Sequence, residues 1–243
     1  MQILIANDDG IYSPGIAALA EVASSFGEVR IVAPDVEQSS MGHAITHARP
    51  VSYRRTPLKN FEAFRVNGTP ADCVALGAYL WKGVDVVLSG INLGPNLGNS
   101  IWHSGTLAAA KQAALLGLRG IAFSATVTKD EPNLERLKPW VERVLEALLP
   151  DNELELLNVN LPDEPTGIRW ARQSVRHYDG RVVPAKDPMG RTVYWFSVSP
   201  IEEVEEGSDR WAIRNGLVSI TPLRLDLANE TELIKAQARH PFD

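Results

Sequence analysis

Asp8 and Asp9 stand side by side between a short apolar run at 3–6 and Gly10. Two carboxylates ~4 Å apart repel by about 4 kcal/mol at an effective dielectric of ~20, and a divalent cation between them removes that repulsion. Neighbours in a regular strand point to opposite faces, so both can serve one ion only where the strand gives way to a turn. Asn7-Asp8-Asp9-Gly10 supplies such a turn. On position alone, a turn pair or a helix N-terminal charge accounts for the two residues equally well. Ser39 and Asn92 add neutral oxygens on neighbouring loops, and a hard oxygen set suits Mg²⁺ or Mn²⁺ rather than zinc. Taken singly, Ser39 reads as a solvated loop serine and Asn92 as a turn residue near glycines. Ser104-Gly105-Thr106 precedes an Ala-rich helical stretch at 107–116. Free N–H groups at the positive end of a helix make such a turn an anion site, with its two hydroxyls expected to face one phosphoryl group. A plain N-cap is the competing reading. His103, beside that turn, reads as structural or solvated rather than as a proton donor.

Other chemistries are set aside by what the sequence lacks. There is no Gly-x-x-x-x-Gly-Lys-Ser/Thr loop, no His-Glu-x-x-His and no Gly-x-Ser-x-Gly. Cys73 is followed after five residues by Tyr79, not by an arginine, and Gly10 excludes an Asp-x-Asp nucleophile pair.

The elements that must position these residues alternate. Strand signals at 3–6, 29–33, 84–88 and 120–124 are interleaved with helical spacing at 14–26, 70–80 and 107–116. A further amphipathic helix spans 134–149, with Pro139 expected to start or kink it, and a strand follows at 154–160. Short, wholly apolar strands between helices indicate a parallel sheet covered on both faces, here a three-layer α/β/α Rossmann-like domain over 1–162. Its ligands belong beyond the carboxyl ends of the strands, where the loops 7–10, 35–42 and 89–104 all lie. From 163 to 243 the pattern becomes a β-rich extension. Strand signals stand at 168–174, 181–183, 192–198 and 217–225, with a turn at 187–190 and a short helix at 208–215.

The 243 residues carry 24 basic and 30 acidic side chains, a formal charge of −6. That balance and a pI near 5.4 argue against a nucleic-acid polymer as partner. No apolar run reaches the ~18 residues of a membrane span. A single cysteine and an N-terminus without a basic, apolar leader lead to the expectation of a soluble cytoplasmic protein.

The chain resembles the stationary-phase survival protein (SurE) family of metal-dependent nucleoside monophosphate phosphatases. The resemblance rests on Asn7-Asp8-Asp9-Gly10, Ala33-Pro34-Asp35 with Ser39, Gly68-Thr69-Pro70-Ala71-Asp72-Cys73, and the stretch from Ser89-Gly90-Ile91-Asn92 to Ser104-Gly105-Thr106. It continues through Asn158-Val159-Asn160-Leu161-Pro162, Asp187-Pro188-Met189-Gly190-Arg191 and Ser219-Ile220-Thr221-Pro222-Leu223. It implies that Asp8, Asp9, Ser39 and Asn92 hold one divalent cation per subunit. By the same resemblance, Asn96, Ser104, Gly105 and Thr106 hold the phosphate. It further implies hydrolysis of 5′- and 3′-nucleoside monophosphates and of short polyphosphate, and a homodimer or homotetramer assembled through the C-terminal segment. Asp8 or Asp9 then orients or deprotonates the attacking water. A non-catalytic nucleotide-binding module and a metal-dependent nucleotide-sugar transferase are the rival classes, the second disfavoured by the short chain.

Overall fold

The computed structural model describes residues 1–127, 133–175, 178–200 and 202–240. Among them, nine strands form one sheet. Its central six are all parallel, in the order β4 (Phe61–Val66), β2 (Glu28–Pro34), β1 (Gln2–Ala6), β5 (Val86–Leu93), β6 (Arg119–Ala125) and β7 (Leu156–Leu161). Residues alternate between two buried faces. Ile3, Ile5, Ile31, Leu88, Ile121 and Phe123 enter one core, while Leu4, Ala6, Val32 and Val87 enter another. Helices α1 (Pro14–Ala23) and α4 (Leu134–Leu148) cover the first face, and α2 (Pro70–Leu80) and α3 (Gly105–Leu115) the second. This is the expected three-layer arrangement, and no described helix is long and apolar enough to cross a membrane.

Four details depart from the sequence expectation. A hairpin precedes α2, with β3 (Tyr53–Leu58) pairing antiparallel to β4 at one edge of the sheet. Its turn is Lys59-Asn60, with Lys59 at φ 47, and Pro57 is tolerated because β3 is an edge strand. The strand expected at 84–88 is β5, which continues to Leu93 through a register shift between Ser89 and Asn92. Gly90 makes this possible. It sits at φ +127, and a Cβ there would lie 2.2 Å from the Phe123 carbonyl oxygen. Such a bulge re-aims the side chains that follow it. At the other edge, β11 (Leu217–Pro222) pairs antiparallel to β7 and parallel to β8 (Gly167–Trp170), so part of the segment after 163 extends the main sheet. Finally, α6 (Glu230–Arg239) closes the chain and buries none of its residues.

A two-stranded ribbon, β9 (Tyr178–Lys186) with β10 (Thr192–Pro200), forms a sheet of its own. The whole chain exposes 13216 Å², against roughly 11,000 Å² for a compact protein of this mass. The unpartnered ribbon and α6 account for the direction of that excess.

Candidate active site

The turn after β1 is closed by Asn7, whose Nδ2 donates to the Gly10 carbonyl at 2.9 Å. Gly10 takes φ +95 and ends the strand, so Asp8 and Asp9 both face the cleft at the carboxyl edge of the sheet. This cleft has a volume of about 890 Å³. Its walls include Asp8, Asp9, Ser39, Asn92, Asn96, His103 and Ser104, brought together from the three predicted loops.

Asp8 is only 4% exposed and is fixed from α3. Thr106 Oγ1 donates to Asp8 Oδ1 at 2.7 Å, and the Thr106 backbone N–H is a second donor to the same carboxylate. Glycine at 105 permits this approach, because a Cβ there would sit 2.6 Å from Asp8 Cβ. Asp8 therefore occupies the positive end of an 11-residue helix. Even so, burial pushes its carboxyl above the usual range, against the pull of those donors. Asp9 is pushed up to about 6, first by burial and then by the Asp8 charge, with the Leu93 N–H acting against the shift. Glu37 also lines the cleft and its charge raises both.

Among the described residues, no lysine, arginine or histidine forms an ion pair with Asp8, Asp9 or Glu37. A partly buried carboxylate pair with no cationic side chain beside it is a site that a cation completes. The remaining donors suit a hard ion. Asn92 commits its Nδ2 to the Gly94 carbonyl at 2.7 Å, which leaves Oδ1 as its acceptor. Ser39 is exposed and donates to Glu37 Oε1 at 2.7 Å. No group of three or more His, Cys, Asp or Glu among the described residues is arranged to hold a metal, so an ion here would take two carboxylates and neutral oxygens.

The phosphate-turn residues are placed unevenly. Ser104 borders the cleft, but its Oγ accepts from Leu107 N at 3.0 Å, so it is also the N-cap of α3. Thr106 is fully buried and does not border the cleft, its hydroxyl being spent on Asp8. The expectation that both hydroxyls face one anion does not hold in this arrangement. Asn96 borders the cleft, yet its Nδ2 donates inward, to Ser124 Oγ at 2.8 Å and Thr106 Oγ1 at 3.3 Å. Its backbone is clamped by Asn160, which accepts from Asn96 N at 2.7 Å and donates to Asn96 O at 3.0 Å, and by Asn158, which donates to the same oxygen at 2.8 Å. The chain Asn160–Asn96–Thr106–Asp8 thus has a direction. Asn96 donates to Thr106, so the Thr106 proton is turned onto Asp8.

Glu37 and Ser124 were not singled out from the sequence, and Asn158 and Asn160 entered only as part of a family motif, with no role given to them. The two asparagines carried a signal, since amides at i and i+2 in an apolar strand share one face and need partners there. Arg181, Val182 and Phe196 of the ribbon also border the cleft, and no local pattern announces that. Asp209 at the start of α5 (Asp209–Arg214) accepts from Gly98 N at 2.8 Å, which ties the loop after β5 to the late part of the chain.

Comparison with known proteins identifies the family. The family model described as Survival protein SurE matches residues 3–180. The chain is 46% identical over 235 residues to 5′-nucleotidase SurE 1 of Thermus thermophilus, covering 93% of each sequence. It is 43% identical over 244 residues to 5′-nucleotidase SurE of Geotalea uraniireducens, covering 96% of each. The crystal structure of the SurE protein from Aquifex aeolicus superposes with a TM-score of 0.85 at 40% identity, covering 98% of this chain and 99% of that one. On sequence and fold together, the chain belongs to the SurE family.

Proposed function

We propose that the cleft hydrolyses nucleoside monophosphates, as a metal-dependent 5′-nucleotidase that also accepts 3′-nucleotides and the terminal phosphate of short polyphosphate. The observation that carries this reading is the buried Asp8–Asp9 pair without a cationic partner, on the floor of a cleft in a chain 40–46% identical to 5′-nucleotidases. Asp8, Asp9, Ser39 and Asn92 would hold one Mg²⁺ or Mn²⁺, which supplies Lewis-acid charge and a more acidic water. Asp9, the more open of the pair, orients the attacking water and accepts its proton. Asp8 is held by Thr106 through Oδ1, which fixes the orientation of its carboxylate. Ser104 and Asn96 form the wall beside which the phosphoryl group rests, with the N–H of Gly105, behind Ser104 at the positive helix end, as a donor. Arg181 is the one arginine or lysine on the described wall, and it offsets the dianion's charge.

Assembly is part of the proposal. The ribbon and α6, with Trp195, Leu233 and Ile234 at 53–66% exposure, provide the contacts of a homodimer or homotetramer. The boundary near 162 then separates the core that holds the acidic pair from a segment that serves assembly and adds Arg181 to the cleft wall. The single buried Cys73 suits a reducing compartment, and we assign the protein to the cytoplasm.

The test is release of inorganic phosphate from a nucleotide panel before and after exhaustive chelation, with Mg²⁺ or Mn²⁺ added back. Activity that disappears on chelation and returns with metal supports the reading. Full turnover in the chelated protein, or none with any nucleotide and metal, overturns it.

A further inference from the structure

We propose that the β9–β10 ribbon supplies the base-binding platform of the cleft, with the nucleobase stacking on Phe196 beside Val182. The proposal rests on the nucleotidase reading and names the part of the site that distinguishes a nucleotide from a bare phosphate ester. Phe196 is 89% exposed, more than any other large apolar side chain among the described residues. Val182, directly opposite it in the ribbon's ladder, is 56% exposed. Opposed residues of an antiparallel pair share a face, so the two form one apolar patch. Neither side chain enters a core cluster, so the fold itself gives no account of an aromatic held this far into solvent.

Both residues border the same cleft as Asp8, Asp9 and Asn92. The cleft therefore has a charged, oxygen-rich floor and an apolar rim. A nucleoside monophosphate has the matching polarity, a dianion at one end and a flat aromatic ring at the other. Phenylalanine and valine carry no side-chain hydrogen-bond groups, so this platform reads the area of a π-face and not the edge that distinguishes one base from another. Purine nucleotides should bind more tightly than pyrimidine nucleotides, with little preference between adenine and guanine.

The experiment compares kcat/KM for 5′-AMP and for ribose 5-phosphate, which keeps the sugar and phosphate but lacks the base. Base–aromatic stacking of ordinary strength predicts that Phe196→Ala lowers the AMP to ribose 5-phosphate ratio about tenfold, through KM. Phe196→Trp should retain the ratio. Val182→Ser, a smaller change on the same face, should lower it less. Sedimentation of the same samples tests the competing occupant, a second copy of the chain. If Phe196→Ala loses both substrates in equal proportion, with or without dissociation, the patch serves assembly and the platform is refuted. A wild-type ratio near one also refutes it. In both cases the phosphatase reading survives, and that reading falls only if neither ester is hydrolysed.

Discussion

Replacing Thr106 by valine tests whether its hydroxyl serves Asp8 or the phosphate. Valine preserves the shape of a fully buried side chain and deletes the hydrogen bond to Asp8 Oδ1. A hydrogen bond to a charged group contributes about 1.5–3 kcal/mol. Valine also removes the acceptor for Asn96 Nδ2, but that bond is long, at 3.3 Å, and Asn96 keeps its bond to Ser124. A deficit of about 2 kcal/mol follows, or a Tm lower by roughly 4–8 °C in a chain of this size. The dependence on pH gives the sharper test. The Thr106 donors favour the ionised Asp8, so removing one raises a carboxyl pKa that burial already holds high. A raised acid loses stability as pH climbs through its folded pKa, so the deficit of Thr106→Val should widen from acid to pH 8. Thr106→Ser keeps the donor and removes one methyl, a loss of about 1 kcal/mol that should not vary with pH. The assay is urea unfolding of chelated protein at two pH values, paired with a metal titration. A phosphate-facing hydroxyl would leave metal affinity unchanged, whereas one that holds Asp8 should weaken it when deleted. Equal deficits for valine and serine at both pH values, with wild-type metal affinity, would refute the assignment.

Other consequences are as direct. Asp8→Asn and Asp9→Asn should each abolish most metal affinity, read by calorimetry. Without metal, wild-type stability should fall as pH rises from ~4 through about 6, where Asp9 ionises, by about 1 kcal/mol after allowance for its partial exposure. Asp9→Asn should reduce that slope to the part that Asp8 contributes. Gly105→Ala should destabilise by roughly 1–3 kcal/mol, because its Cβ meets Asp8, although alanine ordinarily favours a helix. Sedimentation at micromolar concentration should find an oligomer, and loss of residues 229–243 should weaken it. A stable full-length monomer would sink the assembly proposal.

The central sheet was legible because strands buried on both faces read as unbroken apolar runs, as at Ile3, Leu4, Ile5 and Ala6. The β3–β4 hairpin was not. Arg54, Arg55 and Pro57 interrupt its first strand, and Lys59-Asn60 lacks the glycine that marks a tight turn. Those features fit an edge strand, where charge and proline block further pairing. Tyr53 stacks on Phe64 at 4.3 Å, while Arg30 bonds Glu62 and lies over Trp81, neighbours that only the folded arrangement brings together. Trp211 in α5 is half-buried under the Arg169 guanidinium, another pairing that spacing does not announce. At the site, the acidic pair was legible because its chemistry is local. The Thr106–Asp8 bond spans 98 residues and leaves no mark in the spacing.

The residues that carry function are also those that break local rules. Two like charges adjoin at the end of β1, a glycine begins α3 where alanine would be the better helix former, and β5 carries a bulge just before Asn92. Each departure has one beneficiary. The bulge re-aims Asn92, the glycine admits Asp8 to the helix end, and the strand's early termination turns Asp9 to the same cleft. A sequence optimised for stability alone would place an amide in the acidic pair and keep β5 regular, and only with the residue at 8 moved away from α3 could alanine replace Gly105. Ligand binding restores part of what they forgo, since a cation held only by the folded state stabilises it in proportion to the logarithm of its concentration over Kd. Stability and metal affinity are therefore coupled at Asp8 and Asp9. Variants that relieve the repulsion should gain stability without metal and lose the stabilisation that metal gives.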